Sequence, residues 1–158
     1  MKRIWLFASL LFLLIALPVL AGEKAPPQPA ATDKCMVCGM FVAKYPDWTG
    51  AIAFKDSTTR FFDGPKDLFI YYFAIKKYEP KRNPADIDNI WVKDYYTLSF
   101  IDARKAFYVI GSDVLGPMGK ELIAFSSAAD AKAFLKDHGG KKVLQFKEIT
   151  PEVMKELE

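Results

Sequence analysis

The chain has 158 residues, with 22 Lys and Arg against 19 Asp and Glu, a single His and two Cys. A surplus of +3 leaves no basic footprint for nucleic acid, and one His with two Cys cannot complete the four-ligand cage of a structural zinc domain. No Ser-His-acid arrangement, paired-carboxylate motif or phosphate loop is legible in the spacing, which argues against an enzyme.

Residues 1–21 open with Met1-Lys2-Arg3, run through an apolar stretch at 4–20 broken only by Ser9 and Pro18, and end in Val19-Leu20-Ala21. This is the pattern of an export signal cleaved after Ala21; if retained, the stretch sits at the lower length limit of a membrane anchor. No cysteine precedes Cys35, so a lipid attachment site is not expected. Residues 22–34 are rich in Ala and Pro without apolar periodicity and read as a flexible linker. Removing residues 1–21 leaves 137 of 158 and takes Lys2 and Arg3 out of the basic count, so 20 bases face 19 acids.

The stretch CMVCGM at 35–40 holds both cysteines. After it, residues 50–54 and 58–62 read as short strands, and Asp63-Gly64-Pro65-Lys66-Asp67 reads as a helix start, with Asp63 as cap and Leu68, Phe69, Tyr72, Phe73 and Ile75 as its apolar residues. Residues 90–100 supply a third strand. The second half repeats the order: strands at 107–110 and 121–125, a capping box at Ser127 to Asp130, a helix closed by Gly139-Gly140, and a last strand at 142–149. The expected fold is therefore α+β, two homologous strand-strand-helix-strand units packed together, at 35–101 and 102–158. The aromatic residues, Trp91, Tyr95 and Tyr96 among them, read as packing between elements.

A redox pair belongs between a strand and a helix, whereas 38–43 reads as extended; a disulfide across so short a loop stabilises little. Monovalent copper fits better. In an extended segment Cys38 and Met40 project from the same face, giving a thiolate and a thioether to one soft ion. Cys35 is a third ligand, an exchange partner or the far end of a reversible disulfide. Met118, in the turn Gly116-Pro117-Met118-Gly119, suits either an exposed function or packing. His138 either interacts with its helix end or serves a site.

Taken together, the export signal, Cys-x-x-Cys-Gly-Met, Tyr108-Val-Ile-Gly-Ser-Asp113, Gly-Pro-Met-Gly at 116–119, Phe125 with its capped helix and His138-Gly-Gly resemble the NosL family across residues 35–150. The resemblance implies a periplasmic Cu(I) metallochaperone, delivering copper to nitrous-oxide reductase while its copper-sulfide centre is assembled for denitrification. It implies ligand roles for Cys38 and Met40, with Met118 and His138 joining from the opposite unit. The alternatives from the residues alone are a thiol-disulfide protein using Cys35 and Cys38, or a non-catalytic scaffold.

Overall fold

The computed structural model describes residue 26 and residues 28–158, so the expected export segment and its cleavage point lie outside the described residues. Among the described residues no helix is long and apolar enough to cross a membrane.

The first sheet is built from β1 (Gly50–Phe54), β2 (Thr59–Phe62), β3 (Ile87–Lys93) and β4 (Phe100–Asp102), in the order β2-β1-β3-β4. All its pairs are antiparallel, with Gly50 opposite Phe62, Ile52 opposite Ile90 and Trp91 opposite Asp102. Helix α1 (Pro65–Phe73) follows β2 and leads into the short α2 (Ile75–Tyr78). A second sheet follows, in which β5 (Phe107–Ile110) lies between β8 (Ile123–Phe125) and β9 (Lys142–Gln145), again antiparallel. A small hairpin, β6 (Leu115–Gly116) and β7 (Gly119–Lys120), is inserted between β5 and β8. Helix α3 (Ala128–Asp137) joins β8 to β9, and α4 (Pro151–Lys155) closes the chain.

The fold is thus α+β with antiparallel sheets. Both sheets set their first strand in the middle, flanked by the second and third, while β4 extends only the first sheet and the β6–β7 hairpin interrupts only the second. Their interiors are shared. One cluster runs from Val42, Ile52 and Phe54 through Leu68 and Phe69 to Tyr108, Ile110, Leu122 and Ala124. Period-two alternation sends Val109, Ile123 and Phe125 to the other face of the second sheet, where they meet Ala131 and Phe134 of α3. The second sheet is therefore buried on both sides, and the ring of Phe69 stands edge-on to Tyr108 with 5.4 Å between centroids.

Three expected elements are shorter or differently shaped than the sequence pattern implies. The strand expected at 90–100 breaks after Lys93, because the buried Asp94 carboxylate accepts the N–H groups of Tyr96 and Thr97 and folds the chain into a turn, in which Leu98 has φ of 56°. Strand β9 stops at Gln145 and passes into a 3-10 turn, Phe146–Glu148. Segment 38–43 is not extended: Gly39 has φ of +76°, and Val42–Lys44 is a 3-10 turn.

Candidate metal centre

The cysteine segment is a tight loop closed by its own backbone. Val42 N–H donates to Asp33 O at 3.0 Å, Cys35 N–H to Met40 O at 2.8 Å and Gly39 N–H to Cys35 O at 2.9 Å. Gly39 supplies the left-handed conformation that lets the chain reverse. Hydrogen bonding also reaches back before Cys35, since Asp33 N–H donates to Ala30 O at 3.0 Å and Lys34 pairs with Phe41.

This loop sets its two thiols against the start of α1. Cys35 Sγ donates to Asp67 Oδ2 at 3.2 Å, and Cys38 Sγ lies 3.4 Å from both carboxylate oxygens of Asp63. One ligand atom from each of Cys35, Cys38, Asp63 and Asp67 falls within 4.8 Å of the others, a group that can hold a metal ion. Asp63, Asp67 and Cys35 are buried and Cys38 is half-buried; both cysteines are free thiols.

Asp63 is not the helix cap that its position implies. The N-cap is Gly64, which has no side chain to offer, and Asp63 turns to Cys38 instead. One α1 amide is met from the far half of the chain: Glu121 Oε1 accepts Lys66 N–H at 2.5 Å, and it also accepts the neighbouring Leu122 N–H at 2.8 Å. Three carboxylates therefore crowd one helix start, where the backbone dipole favours negative charge. Lys66 is the cation among them, and its Nζ donates to Met118 O at 2.6 Å.

The crowding decides protonation. Burial, with the Asp67 carboxylate adding to it, outweighs the Met40 amide and pushes the Cys38 thiol up to about 12; burial pushes Cys35 higher still. Asp67 is raised by burial, and Glu121, fully enclosed, is raised by burial to about 8. At neutral pH both cysteines are protonated, a poor state for thiol-disulfide exchange, which needs a thiolate. A cation that displaces the two protons finds soft sulfur and hard oxygen donors already gathered.

The remaining sequence candidates lie as follows. Met40 is half-buried and spends its carbonyl on Cys35; because the chain reverses at Gly39, the same-face argument that paired it with Cys38 does not describe this loop. Met118 is 44% exposed at the tip of the β6–β7 hairpin, joined to the start of α1 through its carbonyl. His138 ends α3, with Nδ1 3.0 Å from Asp113 Oδ1 and its ring stacked on Phe134 at 4.3 Å, and it is not in the four-donor group. Asp63, Asp67 and Glu121 are not among the site residues the sequence points to, Asp63 being read only as a helix cap; the only hint is an acidic pair four residues apart at a helix start, which also reads as ordinary dipole complementation.

A family model described as NosL matches residues 26–154. The chain belongs to the NosL family. The copper-binding lipoprotein NosL of Stutzerimonas stutzeri is 32% identical over 129 residues, covering 79% of this chain and 66% of that relative, so the match falls just short of two thirds of the relative's length. The crystal structure of the copper chaperone NosL from Shewanella denitrificans aligns with a TM-score of 0.69 at 29% identity, covering 82% of this chain and 98% of that one. The NosL fold thus sets the Cys-x-x-Cys loop against the Asp63 to Asp67 helix start in this chain.

Proposed function

We propose that this protein is an exported carrier of monovalent copper, taking up the ion on Cys35 and Cys38 and passing it to a copper enzyme outside the cytoplasmic membrane, with nitrous-oxide reductase as the acceptor. The observation that carries the copper reading is the pairing of each thiol with a buried carboxylate, all four donor groups within 4.8 Å. Two NosL relatives that are named for binding or carrying copper support it. Two thiolates suit a soft monovalent ion. Each S–H already points at a base, so uptake replaces two thiol protons by one Cu⁺, the protons passing to the carboxylates or to water. Export and the acceptor rest on residues 1–21 and on the family resemblance.

The test is an anaerobic titration of the reduced protein with Cu(I) against a competing chelator. One ion per chain is expected, with tight binding lost in Cys38→Ser; equal affinity in that variant and the wild type would end the assignment. Met40, Met118 and His138 enter the same assay as Met40→Leu, Met118→Leu and His138→Ala, where unchanged affinity removes each from the ligand set. Delivery is measured by mixing the loaded carrier with copper-free acceptor and excess chelator. Transfer only when the chelator is left out means that the ion travels through solution and the carrier reading fails.

A further inference from the structure

We infer that Glu121 is a positioning residue for the metal centre: delivered from the second half of the chain, its carboxylate holds the start of α1 so that Asp63 and Asp67 stay within reach of the two thiols. The inference rests on the copper reading of that site. Glu121 is 3% exposed, and its Oε1 takes the Lys66 and Leu122 amides at 2.5 and 2.8 Å. Lys66 lies between the two acidic candidates, next to Asp67, so the bond ties Glu121 to the turn that carries both. Nothing local replaces it, because the N-cap makes no side-chain bond of its own.

Two glycines leave room for this carboxylate. A Cβ on Gly64 would stand 2.3 Å from Glu121 Oε2, and one on Gly116 would stand 3.0 Å from the same atom. Gly64 has φ of −168°, extended backbone that any residue adopts, so space for Glu121 and not conformational freedom is what requires glycine there. Lys66 fastens the contact from its other end through the 2.6 Å bond of Nζ to Met118 O. The carboxylate side of the centre is thus clamped from 116–122, while the thiol side is set by the separate hydrogen bonds of loop 33–42. A centre whose donors come from two segments depends on groups that fix them relative to each other without touching the ion.

The experiment measures Cu(I) affinity of the full chain by anaerobic chelator competition, the near-ultraviolet thiolate-to-copper absorption and the melting temperature. The variants are Glu121→Ala, Glu121→Gln, Gly64→Ala, the Glu121→Ala/Gly64→Ala double variant, and Ala131→Gly in α3 as a destabilised control. Outer-shell groups of this kind are worth about 10- to 100-fold in metal affinity, and Glu121→Ala is expected to lose that much, with an altered absorption band. Glu121→Gln, whose amide oxygen can take both N–H bonds in the same volume, stays close to wild type. Gly64→Ala displaces the carboxylate without changing it, and so weakens binding by itself but adds nothing to Glu121→Ala. Ala131→Gly lowers the melting temperature and leaves affinity alone. The inference is overturned if Glu121→Ala and Gly64→Ala bind copper like the wild type, or if Ala131→Gly loses as much affinity as they do. Should Glu121→Ala fail to fold, Gly64→Ala against Glu121→Gln and Ala131→Gly decides by the same criteria. A wild-type protein that takes up no copper overturns the copper reading, and this inference with it.

Discussion

Each thiol of the centre donates its hydrogen to a carboxylate, so binding a metal here is a substitution of one cation for another. Cys38 is pushed up to about 12 and Cys35 higher, chiefly by burial, so both hold their protons across the neutral range. The sign follows directly: raising the pH removes the competitor, and copper affinity should climb by up to about tenfold per pH unit for each proton that reaches solvent. Competition titrations between pH 6 and 9 check this, and a flat profile would mean that no thiol proton reaches solvent on binding. Cys38→Ser should reduce the slope as well as the affinity. At this scale the sequence was half legible. The cysteines stood out because they are the chain's only two. Asp63 and Asp67 did not, because an acid at a helix start already has an explanation and only tertiary packing brings a thiol to it.

Among the elements, legibility divides according to where the capping group comes from. Helix α3 could be read in place, since the Ser127 side chain accepts the N–H groups of Ala129 and Asp130 from its own neighbourhood. Ser127→Ala should cost about 1 kcal/mol in denaturant unfolding, with no effect on metal affinity. The cap of α1 could not be read, because it arrives from Glu121, and hydrophobic periodicity carries no trace of a partner so far along the chain. Segment 38–43 was misread as extended for a related reason: a run of small and apolar residues does not reveal that Gly39 sits at φ of +76°. No atom stands within 4 Å of a Cβ built there, so Gly39→Ala tests backbone strain alone. The expected loss is about 1–2 kcal/mol of stability, read by unfolding, with looser copper binding as the loop shifts.

For the whole molecule, the expected α+β class and the order of the long elements were legible, whereas the sharing of one core was not. Phe69 of α1 packs at 5.4 Å from Tyr108 and 5.2 Å from Phe146, and both partners lie in the second half. A fragment ending at residue 101 should therefore show no cooperative thermal transition; a sharp one would mean that the first sheet is self-sufficient. The pH dependence of stability has two limbs of opposite sign. Glu79 is lowered from 4.5 to about 2, first by its hydrogen bond to Arg60, so its contribution is present above pH 4.5 and lost as the pH falls toward 2. Glu121 is raised by burial from 4.5 to about 8, so the folded state keeps a proton that the unfolded state has released, and stability declines as the pH rises from 4.5 to 8. The metal-free protein should melt highest near pH 5, and Glu121→Gln should flatten the alkaline side of that profile, with the residual slope due to Asp67.

The unequal burial of the two sulfurs gives the centre a direction. Cys35 is 2% exposed and Cys38 is half-buried, so Cys38 is the more accessible of the two sulfurs. In the carrier proposed above, a ligand that attacks the ion therefore approaches over Cys38, and anything that parks on that sulfur blocks the approach.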